Sequence, residues 1–314
     1  METAIKTTKE QGFDICELGN DRVALRVAPE LGARVFSLVD LRTAREWMWH
    51  PPGELKLFRN HFGDSFLDST LTGLDECLPS LSACEWKGRQ IPDHGEVWAL
   101  PWKLDETALV AGEIVTEVET PLSPFKFMRR ISLHENVVTL SYYLTNAGSG
   151  PEEFIWTIHP LLTLEEDDRM ELPGEVSEFR INGGSSAPEL SFGTTWKYPA
   201  PFENFRLDRL QLGANIDACV KGFTHPLSAG IVTAAIANDR TGDRLEFRWD
   251  TSENNTLGIW LTRGGLKGWH HVALEPTNGA PDSLAQACTE WKRHGVLAPG
   301  ESKRWSLRLI VGAA

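Results

Sequence analysis

The stretch Arg130 to Thr145 reads RISLHENVVTLSYYLT, and it decides the fold class. Side chains along a strand alternate between two faces. In Val137 to Thr145 that alternation puts Val138, Leu140, Tyr142 and Leu144 on one face. Arg130 to Leu133 is a second extended run, and His134-Glu135-Asn136 between the two is polar and turn-forming. The pair reads as a β-hairpin. A helix needs apolar residues three and four apart, and that period is nearly absent from the chain.

The same pattern continues in both directions. Asp21 to Ala28 (DRVALRVA) and Ala33 to Leu41 form an N-terminal hairpin about Gly32. Phe154 to Leu162 (FIWTIHPLL) places Ile155, Thr157 and His159 on one face. Leu245 to Asp250, Thr256 to Thr262 and Ser302 to Val311 alternate likewise, and Trp260 faces away from Ile259 and Leu261. Asn146 to Gly150, Thr241-Gly242-Asp243 and Gly264-Gly265 supply the turns. No repeat, low-complexity run or composition shift divides the chain. The expectation is a single domain across residues 1–314, all-β, built as one large antiparallel β-sandwich.

Two segments depart from the pattern. Gly63 to Pro79 (GDSFLDSTLTGLDECLP) holds four acids and no base, too polar in its middle for a core strand. It reads as a long loop or short helical turn over one face. Arg169 to Pro201, rich in Gly, Ser and Pro, reads as a peripheral insertion.

Composition excludes several classes. The chain has 314 residues, 41% hydrophobic and 24% charged, as in a globular protein with a large core. Thirty-one Lys and Arg against 44 Asp and Glu give a net charge of −13. Sequence-independent binding to nucleic acid or an anionic membrane needs basic patches, and no Lys/Arg run exists. No apolar run reaches the length of a membrane span. The first fourteen residues, METAIKTTKEQGFD, carry no apolar signal core, so the expected location is the cytoplasm. Five scattered cysteines without a CxxC pair argue against a disulfide framework or a zinc ribbon. His270 and His271 point to opposite faces of a strand, and no HxH or HExxH occurs, so no metal or other cofactor is expected. GxSxG, GxxxxGK[ST] and a strand-linked GxGxxG are also missing.

What remains are strand-end acids and histidines. In Gly268 to Leu284 (GWHHVALEPTNGAPDSL), Glu275 shares a face with His271 and Ala273 and precedes the stiff turn at Pro276. His159 ends its own strand. His94 is followed by Gly95, which permits close backbone approach, and lies near Trp98 and Trp102. Most of the twelve tryptophans belong to the core, but one or two suit the apolar face of a sugar.

Four segments, in order, resemble the aldose 1-epimerase (galactose mutarotase-like) family. DHGEVWALPW is similar to its His-Gly segment, and TNAGSGPEEFIWTIHPLL to its paired strands ending in His-Pro. NIDACV with NDRTGDRLEF is similar to its substrate-aspartate region, and GWHHVALEPTNGAPDSL to its carboxylate segment. The resemblance spans roughly residues 20 to 311. It implies a mutarotase-like supersandwich with Glu275 as general base, His159 as general acid and His94 as a second pocket histidine. It further implies that Asp217 accepts sugar hydroxyls, with Trp98 or Trp260 against the ring. The chain departs from the galactose-specific members, which carry an arginine before the His-Gly segment. Arg59 and Arg89 are nearby but match no motif, and Arg59 is the candidate substrate cation. The implied activity is interconversion of α and β anomers of a free aldose by a monomer or homodimer. Two alternatives stay open: a non-catalytic sugar-binding protein on the same scaffold, and a hydrolase or lyase using Asp64, Asp68, Asp75 and Glu76.

Overall fold

In a computed structural model of the chain, residues 3–69, 71–184, 191–199, 206, 208–209 and 218–312 are described. Two antiparallel sheets pack face to face. The larger runs, in spatial order, Ala4–Glu10, Phe13–Gly19, Val23–Ala28, Arg34–Asp40, Leu74–Cys77, Thr157–Pro160, His270–Thr277, Thr256–Arg263, Ala218–Thr224, Glu178–Gly184 and Thr195–Lys197. The smaller runs Asp168–Glu171, Ile231–Asn238, Asp243–Asp250, Ser302–Val311, Val137–Asn146, Phe125–His134, Ile114–Glu119 and Lys103–Leu104. Among the described residues helix is confined to short turns, the longest α segment being Glu106–Val110.

The alternation read from the sequence is realised as burial. Along Val137–Asn146 every second residue is buried, and Val138, Leu140, Tyr142 and Leu144 face the larger sheet. They meet the inner face of that sheet, where Leu74, Ile158, Val272, Leu274, Leu257, Ile259 and Leu261 join one core cluster. Each such side chain contributes about 1.5–3 kcal/mol when fully buried. Aromatic rings fill the interlayer space, with Trp156 at 4.8 Å from Trp305 and 4.7 Å from Tyr142.

Two expectations are corrected. Leu74–Cys77 is not a loop but a central strand of the larger sheet, and Asp75 and Glu76 are both buried. Alternation sends them to opposite faces. Glu76 faces inward, where Arg129 Nη1 donates at 3.0 Å, Tyr142 Oη at 3.0 Å and Trp156 Nε1 at 2.8 Å. Asp75 faces outward and accepts from Arg34 Nε at 2.8 Å. Burying a carboxylate is tolerated only with such partners. Only the preceding Phe66–Asp68 forms the short helical turn that was expected. The second correction concerns residues 169–201: Glu178–Gly184 is a strand of the larger sheet, hydrogen-bonded to Ala218–Thr224.

Candidate active site

The inner face of the larger sheet makes the core, and its outer face carries the chemistry. Pairing fixes which outer residues are neighbours. Glu275 lies opposite Gly258, Gly258 opposite Phe223, and Phe223 opposite Arg180. On the other side, Thr277 pairs with Thr157, a register that sets His159 beside Glu275, and His159 lies opposite Asp75. One transverse row therefore reads Asp75, His159, Glu275, Gly258, Phe223, Arg180. The next row brings Ala273, Trp260 and Lys221 together.

Glu275 is completely buried. Its Oε2 accepts from Lys221 Nζ, while its Oε1 has no hydrogen bond and lies 3.7 Å from His159 Nε2. Buried carboxylate oxygens normally find donors, and on this row both Glu275 Oε1 and Asp75 Oδ2 lack one. Burial pushes the Glu275 carboxyl above the ordinary glutamate range, against the opposing pull of Lys221. Lys221 is 4% exposed and also sits 3.5 Å from Asp282 Oδ1. Burial alone would lower its pKa, but Asp282 and Glu275 outweigh that and keep it a firm ammonium ion. Asp282 is itself held by Asn182, whose Nδ2 donates to it at 2.9 Å.

His159 is 6% exposed. Burial, followed by the fields of His94, Lys221 and His271, pushes it well below the ordinary histidine range, so it rests neutral. Its Nδ1 is buried without a partner. His94 sits in a tight turn with φ +58°, followed by Gly95 at φ +78°. A Cβ on Gly95 would stand 2.3 Å from the Leu78 carbonyl oxygen, which explains the glycine. The His94 ring meets His159 edge to face at 5.1 Å, and its Nδ1 lies 2.9 Å from Asp93 Oδ1. Burial of Asp93 is outweighed by that histidine, which holds the aspartate below its usual range. Phe66, 3% exposed, stacks on His94 at 3.9 Å and meets His159 at 5.2 Å.

The remaining sequence candidates divide. Trp260 is half-buried on the outer face, one row from Glu275. Trp98 is buried beneath Phe66 at 5.2 Å, and its indole donates to the Asp93 carbonyl, so it supports the aromatic plug rather than presenting a ring. Arg59 forms an exposed pair with Glu30 at 2.7 Å and touches none of these groups. Arg89 is taken by Glu152 at 2.5 Å. Asp217 lies outside the described residues. His271 shares the face of Glu275 but lies about 13 Å along the strand, packed on Trp49 at 4.7 Å. Asp75 and Glu76 are separated by their strand and engaged by arginines, so they form no paired-carboxylate site.

Lys221 is the residue that sequence reasoning missed. Alternation in Ala218–Thr224 puts Cys219, Lys221 and Phe223 on one face, and a lysine between Val220 and Phe223 was the available signal. Among the described residues no cluster of three or more His, Cys, Asp and Glu is arranged to hold a metal ion. A concavity of about 1340 Å³ lies on the outer face of the smaller sheet, around Met128, Tyr143 and Arg304. Its charges pair across the surface, as in Lys103–Glu117 and Lys126–Glu119, and it holds no acid–base cluster.

No protein-family model matches the chain, and no curated relative does. Solved structures do match. A candidate aldose 1-epimerase from Klebsiella pneumoniae superposes with a TM-score of 0.72 at 17% identity, covering 99% of this chain and 84% of that one. A galactose mutarotase-like protein from Clostridium acetobutylicum gives 0.70 at 13% identity, covering 100% and 99%. A candidate aldose 1-epimerase from Escherichia coli K12 gives 0.69 at 16%, covering both chains completely. The chain therefore has the fold of the galactose mutarotase-like sandwiches.

Proposed function

We propose that the chain is an aldose 1-epimerase, interconverting the α and β anomers of a sugar through its open-chain aldehyde. The supporting observation is the open oxygen of fully buried Glu275, 3.7 Å from a neutral imidazole on one polar row of the sheet. Ring opening needs a proton to leave O1 and another to reach the ring oxygen O5. Glu275 Oε1 takes the first, and His159 supplies the second from its N–H. The imidazole regains a proton from the carboxyl as it gives up its own, so no imidazolate forms and the pair returns to its starting state. After rotation about the C1–C2 bond, the same steps in reverse close the ring on the other face. A raised carboxyl pKa suits this exchange, because the base must take and return a proton near neutral pH. Trp260 offers the apolar surface for the ring, and His94 a polar group at the rim.

The same site gives one observation in favour of a non-catalytic sugar-binding protein: Lys221 already sits on Glu275 and weakens it as a base. Anomer-exchange NMR on a panel of hexoses separates the two functions. Catalysed exchange that Glu275→Gln abolishes supports the isomerase. Saturable sugar binding with exchange at the uncatalysed rate leaves the binding protein.

A further inference from the structure

The transverse row that holds Glu275 runs on to Arg180, which has no counterion among the described residues. Arg180 shares the face of Glu275 three strands away, about 14 Å between backbones, across Gly258 and Phe223. Its guanidinium lies over the Trp291 ring at 4.0 Å, and among the described residues it has no carboxylate within ion-pair distance. Trp291 in turn stands edge-on to Phe223 at 6.2 Å. Two residues on, Arg293 reaches onto the same face. Its Nη1 donates to the Thr224 carbonyl at 2.9 Å and its Nη2 to Thr256 Oγ1. Arg293 Nε is buried without a partner, as is Trp291 Nε1. It too has no carboxylate partner among the described residues. Burial, aided by the nearby Arg180, brings the Arg293 guanidinium down to about 10.

This arrangement is costly. Three buried arginines elsewhere, Arg34, Arg45 and Arg129, each hold a carboxylate. Here two cations share a partly buried corner in a chain with 44 acidic residues. Glu275, on the same row, and Asp282 are both engaged by Lys221. Partly desolvated cations without a counterion are stable only at the expense of the fold. A bound anion removes that expense, and guanidinium groups suit oxyanions through charge-assisted hydrogen bonds.

We propose that Arg180 and Arg293 form a subsite for an oxyanion carried on the sugar substrate: a phosphate, sulfonate or carboxylate remote from the anomeric carbon. The sugar ring then lies over Gly258 and Phe223 beside Trp260, with its anomeric end at Glu275 and its charged end at the arginines. This deepens the isomerase proposal and rests on it for the placement of the ring. It also gives the chain a substrate cation in place of the arginine expected from the resemblance.

The test compares glucose with glucose 6-phosphate, 6-deoxy-6-sulfoglucose and glucuronate, by anomer-exchange NMR for turnover and by calorimetry for binding. The expected result is at least about tenfold tighter binding of one anionic sugar than of glucose, with inorganic phosphate as a competitor if the phosphate ester is preferred. Arg180→Gln should remove that preference by raising KM with kcat little changed. Arg180→Lys should restore part of it, and glucose handling should stay as it was. Arg293 also holds backbone and Thr256, so Arg180 carries the test. Equal affinity for neutral and anionic sugars, or a preference that survives Arg180→Gln, overturns the subsite. Anionic binding that depends on Arg180, without exchange of any sugar, supports the subsite and overturns the isomerase. Exchange of neutral hexoses with no gain from any charged group does the reverse.

Discussion

Glu76 and Glu275 are both fully buried in the larger sheet, both pushed above the ordinary glutamate range by burial, and both held by a cation. They differ in what is left over. Glu76, on the inner face, accepts from Arg129, Tyr142 and Trp156, with donors on both of its oxygens. Glu275, on the outer face, has Lys221 on one oxygen and nothing on the other. The first arrangement ties two sheets together. The second keeps an acceptor in reserve, facing a histidine whose own Nδ1 is also unpartnered. Between these two glutamates the difference is unused hydrogen-bonding capacity, not burial or the direction of the pKa shift.

The contrast can be broken at either end. The largest effect is expected at Glu275: Glu275→Gln should slow anomer exchange by about 10²–10⁴-fold, the usual worth of a positioned acid–base group. Circular dichroism should show the fold unchanged. Next comes the inner pair. Arg129→Met leaves Glu76 buried without its cation and should lower unfolding stability by about 3–5 kcal/mol in urea titrations. A smaller loss there than in Glu275→Gln would invert the assignment of structural and functional roles.

The smallest effect is a slope with pH. Burial, with His270 nearby, brings His271 down to about 3. A histidine depressed in the folded state gains its proton first in the unfolded chain. Its stabilising contribution is therefore full above about 6.5 and is lost as pH falls toward 3. His159 adds in the same direction. Urea midpoints should drop between pH 6.5 and 4, and His271→Gln should flatten the drop by at most about 1.4 kcal/mol per pH unit. An unchanged slope would mean that His271 is protonated in the folded protein.

Much of the fold was legible because it rests on a local signal. The face of Val138, Leu140, Tyr142 and Leu144 follows from alternation alone, and so does the shared face of His271, Ala273 and Glu275. What alternation cannot show is which residue sits across the sheet. Leu74–Cys77 looked too polar for a core strand because its compensating arginines lie 41 and 53 residues away in sequence. Lys221 is engaged by a glutamate 54 residues on. Arg180 lay in a segment whose Gly and Ser content suggested a peripheral connection, yet its pairing with Phe223 places it on the site row. Trp98 failed as a sugar platform for a related reason: exposure is set by what packs above a ring, and Phe66 was hidden in the acid-rich loop.

Phe66 also governs how anything arrives. Its ring is stacked on His94 and set against the edge of His159, and the acid–base groups beneath are almost wholly out of solvent. Under the proposed activity, a sugar reaches those groups only past this ring. The ring must swing aside first, so the observed association rate should level off with rising sugar concentration at the opening rate of the loop. Stopped-flow binding traces on the protein and on Phe66→Ala would read that ceiling directly. In the alanine protein the ceiling should disappear, leaving a rate that climbs in proportion to concentration.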